Sequence, residues 1–179
     1  IGPSAGWVSF TVYGRRGPSP EINEQLSPFK LADLENDTLK LVENYTNLPI
    51  YAIHGEKDDN VSVTQSRTMV AELEKFHKDF IYHEQPGAGH WWGDSSPLGA
   101  ACVDWTPLFE FFRRHVRPLY PLSIKFKTPN QAISASYAWL TIYSQIRPSD
   151  LSSITADAEP RAGTVKITTD NIERLELDL

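Results

Sequence analysis

Pro49-Ile50-Tyr51-Ala52-Ile53-His54-Gly55-Glu56-Lys57-Asp58-Asp59-Asn60-Val61 is the stretch on which the fold turns. Its first half is a short apolar run closed by glycine, the pattern of a strand buried in a parallel sheet. Its second half is a polar loop. Ser62 then opens a helix, with Gln65 as its capping-box partner and Met69, Val70, Leu73 and Phe76 at helical spacing. Phe80-Ile81-Tyr82-His83-Glu84-Gln85 reads as a second strand, and Pro86-Gly87-Ala88-Gly89-His90 turns away from it. Thr106 caps a further helix with Pro107 at its first position. Leu108, Phe109, Phe111, Phe112 and Val116 supply the buried face of that helix, and Arg113, Arg114 and Arg117 suit its C-terminal dipole. Upstream, residues 37–44 read as a short helix capped by Asp37, and residues 18–36 as a surface loop. Strand, helix, strand and helix in this order predict an α/β parallel sheet with helices on both faces. Sheets of that kind place their chemistry in the loops at the carboxyl ends of the strands.

Composition agrees with a globular chain. There are 179 residues, 40% hydrophobic and 22% charged, which leaves room for one domain and a small appendage. A net charge of −6 argues against a broad phosphate-binding surface, and so against a nucleic-acid partner. No run of eighteen apolar residues exists to form a membrane-spanning helix. Cys102 is the only cysteine, which excludes an internal disulfide and a cysteine-rich zinc site. Near residue 118 the pattern changes to strand alone. Leu122, Ile124 and Phe126 alternate with polar residues; so do residues 137–143, then Val165 and Ile167, then Leu175, Leu177 and Leu179. Residues 119–179 therefore read as a β-rich appendage, separate from residues 1–118. Both ends fall in strand-like sequence, and the chain is expected to be a fragment of a longer one.

Two loop residues can do chemistry together. Asp58 follows the first strand and His90 the second, 32 positions later. A carboxylate at one strand end would accept the Nδ1 proton of an imidazole at the next, leaving Nε2 to take a proton from a serine.

These residues resemble the C-terminal half of an α/β-hydrolase, specifically the prolyl oligopeptidase-like serine hydrolases. In that family a strand ending H-G-x-x-D-x-x-V carries the triad acid, and the next ends in a G-x-G-H loop carrying the triad histidine. His54 through Val61 matches the first pattern and Gly87-Ala88-Gly89-His90 the second. The resemblance implies a partial catalytic domain over 1–118, Asp58 and His90 as the triad pair, and a peptide or ester substrate. It implies no cofactor and no metal. It also suggests Asn60 as a contact to a substrate carbonyl. Trp91 and Trp92, from their size and place after His90, could line a pocket.

Each residue also has a plainer reading. Asp58 could cap a turn, with Asp59 as its rival. His90 could be pinned structurally by the two tryptophans. Asn60 could be a solvated amide, and the tryptophans could pack on the sheet. His54 before a turn glycine, His77 on an exposed helical position and His83 within a strand have weaker claims. A metal hydrolase built on His54, Asp58 and His90 lacks any H-x-H or H-E-x-x-H spacing. Gly2-Pro3-Ser4-Ala5-Gly6 matches the G-x-S-x-G nucleophile elbow. The elbow needs a strand before it and a helix after it, however, and Trp7 to Tyr13 is β-branched and aromatic. Ile1 to Ser4 reads instead as the end of a strand. The expected function is that of a serine-hydrolase fragment, peptidase before esterase, whose nucleophile lies upstream. The alternative is a non-catalytic binding or accessory module on a hydrolase-like scaffold.

Overall fold

Strand β1, Ile50–Gly55, is buried along its whole length. It pairs in parallel with β2, Phe80–Gln85, from Ile50 opposite Phe80 to Gly55 opposite Gln85. On its other side the first residues of the chain run alongside it. Tyr51 N–H donates to Ile1 O (2.9 Å), Ile53 N–H to Pro3 O (3.0 Å) and Ala5 N–H to Ile53 O (3.0 Å), with Ser4 bridged in parallel to Ile53. β1 is thus the central strand, which is why its sequence is apolar without alternation. These observations come from a computed structural model that describes residues 1–9, 34–93 and 100–179.

Alternate side chains of β1 point to opposite faces. Tyr51 and Ile53 pack with Leu108 and Phe111 of helix α2, Thr106–Arg114. On the opposite face His54 reaches Ser66 of helix α1, Thr64–Leu73. One helix therefore lies on each face of the parallel pair.

Two compact units divide the chain: Ile1–Val8 with Leu48–Arg117, and Ser9–Asn47 with Pro118–Leu179. The second holds two antiparallel sheets of three strands each. One is β3 (Ser123–Thr128), β6 (Ser152–Glu159) and β7 (Thr164–Asp170), with β6 central. The other is β4 (Ser136–Tyr137), β5 (Leu140–Ser144) and β8 (Arg174–Leu177), with β5 central. Ile124 and Phe126, Leu140 and Ile142, and Ile154 and Ala156 bring inward faces of both sheets into one core around Trp139.

The segment before residue 48 covers an edge of this unit. Asn44 accepts from Lys127 N–H (2.7 Å) and donates to Lys127 O (2.8 Å), and Asn47 donates to Ser123 O (2.8 Å). These side-chain amides complete the free edge of β3 in place of another strand. The join at Arg117 and Pro118 agrees with the change of pattern in the sequence, but residues 9–47 group with the β-rich unit and not with residues 48–117.

Several local expectations are corrected. Residues 37–44 form turns and a 3-10 helix, Val42–Tyr45, not an α-helix. α1 begins at Thr64, without a Ser62–Gln65 capping box, because Gln65 Oε1 accepts from Val8 N–H instead (3.3 Å). Trp105 takes the N-cap position of α2. Of the five apolar residues expected on its buried face only Leu108 and Phe111 are buried; Phe109 and Phe112 are exposed, and Val116 is exposed and lies beyond the end of the helix. Residues 137–143 do not form one strand. Ala138, at φ 52°, turns the chain between β4 and β5. The loop expected over 18–36 and the strand pattern of Trp7–Tyr13 lie partly outside the described residues.

Candidate active site

The loops after β1 and β2 interlock through their backbones. Glu56 N–H donates to Gln85 O (3.0 Å) and Lys57 N–H to Ala88 O (2.8 Å), while Gly87 N–H donates to the Glu56 carboxylate (2.7 Å). The approach is so close that a Cβ on Gly55 would sit 2.1 Å from Gly89 O and 2.6 Å from Ala88 O. Gly87 makes the turn at φ +67°, where a Cβ is strained. These small residues let the second loop fold back over the first.

The interlock brings Asp58 and His90 together. His90 Nδ1 lies 2.8 Å from Asp58 Oδ2. The other carboxylate oxygen, Oδ1, accepts from Asn60 N–H (2.9 Å) and Val61 N–H (2.7 Å). Burial pushes the Asp58 carboxyl up, but the Val61 N–H, the His90 ring and the Asn60 N–H outweigh it and hold it below its ordinary 3.8. With Nδ1 facing a carboxylate, the neutral ring carries its proton there and presents a lone pair at Nε2. Nε2 has no hydrogen-bond partner among the described residues, and the His90 side chain is 18% exposed.

A second imidazole also meets this carboxylate. His54 is fully buried. Its Nε2 lies 2.8 Å from Val61 O and 3.2 Å from Asp58 Oδ2, and its Nδ1 lies 2.6 Å from Ser66 Oγ. Sequence reasoning gave His54 little weight because a histidine before a turn glycine looks local. The signal was its place four residues before Asp58.

The other candidates separate. Asp59 is exposed, and so is Asn60, whose side-chain amide has no partner among the described residues. Trp91 is 67% exposed with its ring edge-on to His90 at 5.2 Å between centroids. Trp92 instead packs against the cluster of Tyr51, Ile53, Leu108 and Phe111. His77 is buried, not exposed, and donates through Nε2 to Leu48 O (3.0 Å). His83 stacks on Trp105 at 4.5 Å. Ser4 stands in the segment paired with β1, and residues 5–9 contain no helix. The positive φ of that segment falls on Ala5, at 45°, and not on Ser4. Ser4 therefore lacks the strained strand-to-helix turn of a nucleophile elbow.

A parallel strand pair whose successive ends join a carboxylate to an imidazole is an arrangement that an α/β-hydrolase sheet provides. The family model described as the prolyl oligopeptidase family matches residues 18–117, more than half of the chain, and the chain belongs to that family of serine-peptidase-type hydrolases. Among curated proteins, an "Uncharacterized secreted protein" of Arthroderma benhamiae is 31% identical over 144 residues, covering 77% of this chain. The chain spans 15% of the length of that relative.

Proposed function

We propose that this chain supplies the acid and the histidine of a serine-hydrolase triad, Asp58 and His90, to a longer enzyme that cleaves peptides, with esters as the second substrate class. The observation that carries this is the 2.8 Å pair between His90 Nδ1 and Asp58 Oδ2, with Nε2 unpartnered among the described residues. In this reading Nε2 takes the proton of a serine hydroxyl as its oxygen attacks the substrate carbonyl. The imidazolium so formed is stabilised by Asp58 and then gives its proton to the departing amine or alcohol. Water repeats the cycle on the acyl-enzyme. The serine and the donors of the oxyanion hole would come from outside residues 1–179, the sheet and its two helices forming the C-terminal part of the catalytic domain. Asn60 would reach a substrate carbonyl, and the exposed Trp91 ring would pack on a substrate group beside His90.

The intact protein treated with a serine-reactive fluorophosphonate tests this. One modified serine is expected, and peptide mapping should place it outside this chain. Modification of Ser4 would overturn the assignment of the nucleophile. An intact protein that takes no label would be an accessory module on a hydrolase scaffold.

A further inference from the structure

The Asp58 carboxylate has two oxygens, with three N–H donors and one further ring nitrogen around them. Oδ1 takes the backbone of Asn60 and Val61; Oδ2 faces His90 and His54. The backbone pair anchors Oδ1. At the other oxygen His54 Nε2, 3.2 Å away, is the second group beside His90.

Its own orientation is over-determined. Val61 O is only an acceptor, so Nε2 of His54 must carry the proton that meets it. The neutral ring then accepts at Nδ1 from the Ser66 hydroxyl, 2.6 Å away on α1. A flipped tautomer would set a lone pair against both Val61 O and Asp58 Oδ2, which can only accept. Ser66 is itself buried, so no bulk water replaces its hydroxyl.

We infer that His54, held by Ser66, is a positioning residue that aims Asp58 Oδ2 at His90. The inference rests on the triad reading above but names a device which that reading does not contain. The sequence Ser66–His54–Asp58–His90 is a buried relay of orientation running from helix α1 to the ring that does the chemistry. No proton needs to move along it.

The test uses the intact protein with His54→Leu, His54→Gln and Ser66→Ala. His54→Leu should lower kcat on the order of 10²-fold, the cost of misplacing a reacting group by about 1 Å, with KM within about twofold. The acidic limb of its kcat/KM profile should move to lower pH, because a less well-aimed carboxylate supports the imidazolium less. His54→Gln keeps a donor for Val61 O and an acceptor for Ser66, and should restore most of kcat. Ser66→Ala should move kcat and the limb in the same direction by a smaller factor, and it decides the matter if His54→Leu fails to fold. A folded variant with kcat and the limb unchanged would overturn the inference. The far-downfield ring N–H resonance of His90 should broaden or vanish in His54→Leu. That reading needs no turnover, so it judges His54 even if His90→Ala shows that the triad assignment itself has failed.

Discussion

Three N–H groups donate to the Asp58 carboxylate and a fourth ring nitrogen, His54 Nε2, lies 3.2 Å from it, and this sets what its substitution does. Asp58→Asn replaces an acceptor oxygen by an NH2 that must face a donor. Turnover of the intact protein should fall by about 10⁴-fold, the order expected when a triad carboxylate becomes an amide. Stability near neutral pH should fall by about 1–3 kcal/mol for the unmatched donor. The sign of the pH dependence follows from the lowered Asp58 value. A carboxyl held below 3.8 in the folded protein contributes stability above that pH and loses it as pH falls through the lower folded value. The stability gap between wild type and Asp58→Asn, read from denaturant unfolding, should therefore narrow as pH drops below 3.8. A gap that stays constant through the acid range contradicts this. On the proposed reading Trp91, exposed beside His90, would pack on substrate. Trp91→Ala should raise KM by about 3- to 10-fold, as an aromatic contact of about 0.5–1.5 kcal/mol requires, with kcat little changed.

At the scale of elements, the site depends on two loops touching. Gly55→Ala would force a Cβ to within 2.1 Å of Gly89 O, and backbone cannot swing aside as a flexible side chain does. The substitution should cost about 1–3 kcal/mol or more and separate Asp58 from His90, seen as a lowered denaturation midpoint together with lost turnover. β1, β2, both helices and the loop pair were legible because each carries a strong local signal: an unbroken apolar run, a terminal glycine, a helical period of large side chains. β6 was not read, since its inward residues Ser152, Ile154 and Ala156 are mostly small and give almost no hydrophobic alternation. The break between β4 and β5 was hidden because Ala138 and Trp139 continue an aromatic pattern, and only the positive φ of Ala138 reveals the turn. His54 carried little weight although it opens the H-G-x-x-D-x-x-V pattern, because its partner Ser66 lies twelve residues away on a helix. Phe109 and Phe112 fit the helical period of α2 yet are exposed, since period alone does not say how wide a face is covered.

For the whole molecule, sequence pattern located the join at 117–118 but not the return of residues 9–47 to the β-rich unit. Asn44 and Asn47 bind the backbone of β3 through side-chain amides, and composition cannot report such bonds. Asn44→Ala removes both bonds to Lys127 and should destabilise the β-rich unit by about 1–3 kcal/mol, with faster hydrogen exchange at the Lys127 amide as the direct readout. The same scale governs activity. On the proposed reading residues 1–179 alone should show no fluorophosphonate labelling while the intact protein labels, since among the described residues no serine stands in an elbow for Asp58 and His90 to activate. The most direct test of the account is kcat/KM of intact His90→Ala against wild type on a peptide or ester substrate. The account predicts a loss of at least about 10³-fold in a variant that keeps its melting temperature. Turnover at the wild-type rate would contradict it.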